Sequence, residues 1–288
     1  MGRHERPRRG IVGRGICRMS AQPSSASSND FTHRHVPALG MSVHRLGLAC
    51  NMGIDAAGFE HALDRGMNYV FWTQLRTGKL EPGLRKALAT KREKLIVASG
   101  PMVGFFGGSV RRSAEGLLRD LGTDYLDVFT LFWLGTGSAW TDGTIEELVR
   151  LKEEGKVRAI GISIHDRKRA GALAEDSALD LFMLRYNAAH PGAERDVFPH
   201  LAARNPAVVA YTATSWRKLL KRPRGWTGPV MTAGDCYRFC LSSPHVDLAL
   251  TGVKSVKELD ENLDALEKGP LSPDEAAWMR ELGRAVHG

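Results

Sequence analysis

The chain has 288 residues, 43% of them hydrophobic and 25% charged, with a formal net charge of +8. That length and balance describe a globular protein of one large domain or two smaller ones, with a core large enough to need no disulfide or metal staple. No run approaches the roughly 20 consecutive apolar residues of a membrane span, so no membrane role is expected.

The N-terminus is unlike the rest. Residues 1–18 hold six arginines against one glutamate, which accounts for +5 of the +8. The stretch Ala21–Asn29 that follows is of low complexity. Residues 1–33 therefore read as a disordered basic tail, or in part as sequence upstream of a true start at Met19. The tail has no apolar segment of the roughly 7–15 residues that a signal peptide needs, and a cytoplasmic location is expected. Contact with nucleic acid or another anion through the tail is the weaker alternative, and it requires binding that collapses with salt. Four cysteines (Cys17, Cys50, Cys236, Cys240) are too few for a disulfide scaffold. Cys236 and Cys240 share a helix face, but no second ligand pair stands at suitable spacing, so reduced structural thiols and no metal are expected.

Residues 33–42 read as a short hairpin turning near Gly40 and plugging a barrel floor. Strand candidates follow at His44–Ala49, Tyr69–Trp72, Leu95–Ser99, Asp127–Trp133, Val157–Ser163, Leu181–Asn187, Ala207–Ala213 and Leu248–Val253. Amphipathic stretches at Ala56–Arg65, Gly83–Ala89, Ser109–Leu121, Ile145–Glu154, Arg167–Ala174 and Ala233–Leu241 lie between them. A last helix is expected over Pro273–Val286, with Ser272 as N-cap and Glu275 three residues on. Strand–helix alternation, with strands apolar on both faces, argues for a parallel sheet covered by helices. Eight such units predict an α/β fold of the (β/α)8 TIM-barrel class over residues 34–288. An open doubly wound sheet is disfavoured, because no Gly-x-Gly-x-x-Gly turn follows a first strand.

Several runs then resemble the aldo/keto reductase family, in order and over residues 34–270. They are Gly66-Met-Asn-Tyr-Val, the Tyr-hydrophobic-Asp pattern ending at Asp127, Gly155-Lys-Val-Arg-Ala-Ile-Gly-Ile-Ser163, Tyr186-Asn187, Val208-Val-Ala-Tyr211-Thr, and Leu250-Thr-Gly-Val with Glu258-Leu-Asp-Glu-Asn262. The resemblance implies NADP(H)-dependent carbonyl reduction through a Tyr acid supported by a Lys–Asp pair, with a His orienting the carbonyl. It places those four groups at Phe71, Arg76 (or Leu75), Gly100 and Phe132. None of these is a phenol, carboxylate, lysine or imidazole, and arginine stays protonated throughout the useful pH range. The resemblance thus implies the fold and a nucleotide site, without the usual mechanism. It also implies cofactor contacts at Ser163, Tyr211, Gly252, Lys254, Glu261 and Asn262, with Tyr211 stacking on the nicotinamide and Lys254 meeting a 2′-phosphate.

At the strand ends, where such barrels carry their sites, aromatic and cationic groups stand instead. Trp72, Phe132, Trp133 and Trp216 are candidates for a small-molecule pocket. His165 and His190 are candidate acid/base groups, and Arg76 and Arg185 candidate anion holders. Duller readings accompany them. His165 caps the helix near Asp166, Arg185 pairs with Asp127 or another acid, His190 and Glu194 are loop-surface groups, and Phe71 packs on Phe132. A binding protein without hydride transfer and an enzyme using non-family residues both remain open.

Overall fold

In a computed structural model of the chain, the described residues are 30–74, 78–101, 109–135, 138 and 140–287. The expected basic tail up to Asn29, Cys17 and Arg76 lie outside them.

Strands β1 (His33–Val36) and β2 (Met41–His44) pair antiparallel, and Gly40 in the turn has φ 68°. That left-handed conformation costs glycine little. Eight strands then follow: β3 (Leu46–Ala49), β4 (Tyr69–Phe71), β5 (Ile96–Ser99), β6 (Leu126–Leu131), β7 (Val157–Ile164), β8 (Leu181–Arg185), β9 (Ala207–Tyr211) and β10 (Leu248–Thr251). They are parallel and run in order around a closed barrel, β10 pairing with β3. The helices are α1 (Ala56–Asp64), α2 (Glu81–Lys91), α3 (Val110–Leu121), α4 (Asp142–Glu153), α5 (Arg167–Glu175), α6 (Ala193–Asp196), α7 (Ala233–Leu241), α8 (Val256–Leu266) and α9 (Pro273–His287). No described helix is long and apolar enough to cross a membrane.

The core has two layers, as side-chain alternation requires. Tyr69, Ile96, Val128, Leu181, Met183 and Val209 fill the barrel, together with Val36 and Val43 of the hairpin, which close its floor. Leu48, Val97, Phe129, Ile160 and Phe182 point outward into the layer beneath the helices. Helix starts follow their capping side chains: Asp55, Ser109, Thr141, Asp166, Thr232 and Ser255 each accept a backbone N–H. Ser272 and Glu275 exchange hydrogen bonds at the start of α9, as expected from their spacing. Cys236 and Cys240 are both buried in α7.

Several strand ends differ from the sequence expectation by one or more residues, and three have a visible cause. The first candidate strand divides at Arg45, whose buried guanidinium donates to the carbonyls of Leu241, Val246 and Asp247 at 2.7–3.1 Å. Strands β6 and β9 stop short because Trp133 (φ 54°) and Thr212 (φ 55°) turn left-handed.

His44, buried in the floor, has its imidazole held down to about 4 by burial and by the neighbouring His33. Its Nδ1 accepts the Leu46 N–H at 3.0 Å, which needs a neutral ring. The unfolded chain takes up this proton near the ordinary value of 6.5, the folded chain only near 4. Below pH 6.5 the unfolded state therefore binds more protons, and stability falls as pH drops toward 4, by up to about 3 kcal/mol. In thermal melts from pH 7 to 4.5, His44→Asn, whose amide oxygen takes the place of Nδ1, should flatten that fall. An unchanged slope would show that other groups set it.

Candidate functional site

Period-two alternation fixes which side chains reach the barrel mouth. Each strand that places residues inside the barrel aims the next one in phase at its C-terminal opening. Those residues include Phe71, Gly100, Phe132, Ser163, Arg185, Tyr211 and, in phase with Leu248 and Leu250, Gly252.

Phe71 and Phe132 meet edge-to-face, with ring centroids 5.2 Å apart and planes at 79°. This is the expected pairing, and Phe132 is buried. Gly100 follows β5 so close to β6 that a Cβ there would lie 1.7 Å from the Thr130 carbonyl oxygen. No side chain fits without parting the strands. One flank of the mouth is therefore filled by rings and backbone.

The other flank is polar. Arg185 and Tyr211 are partners in the β8–β9 register. The Tyr211 hydroxyl lies 3.4 Å from both ring nitrogens of His165, and burial raises its phenol to about 12. Burial and the Arg185 charge lower the His165 imidazole and favour its neutral form. His165 does not cap α5, since Asp166 accepts the Arg169 N–H. Arg185 does not pair with Asp127 either, because that carboxylate is held by Arg92 at 2.8 Å and Arg158 at 3.2 Å. Among the described residues the Arg185 guanidinium has no carboxylate partner, and it lies 5.9 Å from the centre of the Trp216 ring.

His190 sits beside this flank, locked by Asn187. The Asn187 amide donates to the Thr212 carbonyl at 2.8 Å, so its oxygen accepts from Ala189 N and His190 Nδ1. His190 is thereby held as the Nδ1–H tautomer, with an unshared pair on Nε2. Burial and the charge of Arg185 bring it down to about 4.

The remaining candidates divide. The Ser163 hydroxyl accepts the Trp133 N–H at 2.8 Å. Lys254, in the loop after β10, is exposed, with no carboxylate partner on its ammonium group among the described residues. Glu261 is also exposed, 3.9 Å from Lys257. Gly252 faces Met52, which a Cβ there would strike at 2.4 Å. Asn262 is instead buried, donating to Thr251 in a network that includes Tyr237. Trp72 is buried in the layer between barrel and helices.

Trp133 and Trp216 are 52% and 60% exposed, and the other large apolar side chains exposed among the described residues are Met52 and Val256. All four stand in segments that follow C-terminal strand ends, which marks this face as the one built to meet a ligand. Sequence reading missed His287 and the Arg167–Asp196–Arg195 group next to His190. Nothing local in the chain links them, since the last helix reaches the mouth only through packing.

The comparisons with known proteins agree with this architecture. The Aldo/keto reductase family model matches residues 50–222. The chain is 26% identical over 183 residues to methylglyoxal reductase YeaE of Escherichia coli K12, spanning 62% of this chain and 64% of that relative's length. It is 29% identical over 93 residues to an NADH-specific methylglyoxal reductase of the same organism, which covers 32% of this chain and 28% of the relative. Among solved structures, the holo form of aldo-keto reductase AKR11C1 from Bacillus halodurans superposes with a TM-score of 0.73 at 23% identity, covering 88% of this chain and 97% of that one. An aldo/keto reductase from Klebsiella pneumoniae in complex with NADP and acetate gives 0.71 at 24% identity, covering 85% and 93%. With the family model matching more than half of the residues, and the closed barrel it implies in place, this chain belongs to the aldo/keto reductase family.

Proposed function

We propose that the barrel mouth binds NADP(H), or a small molecule in its place, without the family's usual carbonyl reduction. The observation that supports this most directly is the Phe71–Phe132 pair beside Gly100. The resemblance puts Asp, His and Lys at these three positions, and here two rings and bare backbone occupy the space. Rings of this kind neither donate a proton nor polarise a carbonyl.

The residues present fit a nicotinamide dinucleotide at two points. The Tyr211 ring stands half-buried at the opening, in reach of stacking. The exposed Lys254 ammonium offers charge to a 2′-phosphate. When bound, the nicotinamide supplies hydride chemistry. Around it, Tyr211 would orient the ring, Ser163 would still have a proton to donate, and Trp133 and Trp216 would exclude water.

A second reading rests on the contact between the Tyr211 hydroxyl and His165. With Arg185 holding an anionic substrate, that pair, or His190, would move a proton in an enzyme with non-family chemistry. A cytoplasmic location belongs to either reading.

Fluorescence titration tests the proposal. NADPH should bind in the range of about 1–100 µM, and Tyr211→Ala should weaken it roughly tenfold, the size of a lost aromatic contact. Lys254→Met should weaken NADPH by about ten- to a hundredfold and leave NADH nearly unchanged, because only the charge-assisted contact is removed. No binding at high micromolar cofactor would remove the nicotinamide reading. Methylglyoxal turnover that disappears in His165→Ala would sink the binding-only form.

A further inference from the structure

Beside the mouth, a cavity of about 430 Å³ is lined by Arg167, Arg185, His190, Gly192, Arg195 and His287, with Ala189 and Pro191. No carboxylate is among these residues. It is built by five elements. Strand β8 ends in Arg185, the loop after it brings His190 and Gly192, and α5 and α6 bring Arg167 and Arg195. Helix α9 brings His287. That helix packs backbone to backbone on the loop, since a Cβ on Gly283 would lie 2.2 Å from the Ala188 carbonyl oxygen. Four residues on, along the same helix face, His287 meets His190 edge-on with ring centroids 5.0 Å apart.

The charges do not cancel. Asp196, just outside the cavity, is shared by Arg167 at 3.0 Å and Arg195 at 2.7 Å. These two guanidinium groups hold its carboxylate down to about 2. Arg185 has no acid. Three arginines thus face one carboxylate, an excess of two positive charges in a concave site. The charges of Arg185, His287, Lys218 and Arg167 all act, after burial, to keep His190 neutral. Gly192 has ordinary helical φ, and a Cβ on it would fall 2.6 Å from the Arg167 guanidinium. The missing side chain lets that fork lie flat across the loop. An arrangement whose own groups repel one another is costly to maintain without an oxyanion.

We propose that this cavity binds the phosphate dianion of a small phosphate monoester, with Arg185 as its principal fork. Two uncompensated charges match the charge of such a group near neutral pH, and guanidinium forks grip tetrahedral oxyanions through paired hydrogen bonds. The volume exceeds that of a bare phosphate, so part of the ester's carbon chain enters too. The site stands on its own residues and does not depend on NADP(H) binding.

The test is calorimetry and thermal melting of the full chain with glycerol 3-phosphate and with inorganic phosphate, each without and with saturating NADPH. Glycerol 3-phosphate should bind with Kd below about 1 mM, several-fold tighter than inorganic phosphate and undisturbed by NADPH. Arg185→Ala should weaken it at least tenfold, and so should Gly192→Ala, which folds normally yet displaces Arg167. The proposal is overturned by any of four results: no binding below about 10 mM, affinity unchanged in both variants, preference for inorganic phosphate, or displacement by NADPH. The last would make the cavity part of the nucleotide's own site. Failure of NADPH to bind leaves the glycerol 3-phosphate titration readable, so the two proposals fail separately.

Discussion

Gly100→Lys is expected to cost the fold about 3 kcal/mol or more, the upper range for overpacking. A Cβ at this position would meet three backbone atoms of Thr130: the carbonyl oxygen at 1.7 Å, the carbonyl carbon at 2.7 Å and the nitrogen at 3.2 Å. Main-chain atoms cannot rotate aside as a side chain does. Strands β5 and β6 must separate at their C-terminal ends, and the ring pair beside them loses its seat. The corresponding drop in Tm is about 6–12 °C. Gly100→Ala should incur most of the same loss, since the clash begins at Cβ. A cost below about 1 kcal/mol for the alanine variant, read by urea denaturation, would show that the strands yield easily. The functional corollary concerns repair of the site. Phe132→His alone should give no carbonyl turnover, because the acid and its Lys–Asp support would still be absent. Measurable turnover in that variant would mean that the correspondence with the family's reaction centre is misplaced.

Asp127→Ala is expected to destabilise the protein by about 3–5 kcal/mol, as losses from buried ion pairs do. The carboxylate is 5% exposed, pairs with Arg92 and Arg158, and accepts the Val97 N–H at 2.8 Å. Arg92 is the more important partner, being 13% exposed against 54% for Arg158. Both guanidinium groups also stack on Tyr125, at 3.7 and 3.8 Å from its ring centre. Removing the carboxylate leaves Arg92 buried without its counter-charge and Val97 without an acceptor. Asp127→Asn should cost less, since an amide oxygen can still take the Val97 N–H. Urea curves for the three proteins check this ordering, and equal stability of Asp127→Ala and the parent would refute it. The residue lies at the N-terminal end of β6, on the face of the barrel that serves stability rather than the site.

The barrel was largely legible in the sequence. Apolar runs such as Val157–Ser163 and Leu181–Asn187 locate strands, because a strand buried on both faces tolerates few polar residues. Asp55, Ser109 and Ser272 announce helix starts through local hydrogen bonds, which depend only on residues three apart. The Phe71–Phe132 contact was also legible, since both residues close inward-facing positions of a barrel already inferred.

Much of the site was not. Arg185 reads as a partner for Asp127 until the barrel places the two apart, one at the mouth and one near the base. That Asn262 is buried and donates to Thr251 is likewise invisible in the sequence, because Thr251 reaches it only through packing. The meeting of His190 with His287 spans nearly a hundred residues and depends on Gly283 letting α9 touch the loop backbone. The sequence by itself determined the class of fold, its family and the residue types that stand at each strand end. Patterns of apolar spacing and capping act over a few residues, so they survive in a one-dimensional reading. Only the tertiary structure decided which of those side chains are spent on one another and which face open space. Burial, charge pairing and the closeness of two backbones arise where distant segments pack, and no local pattern encodes them.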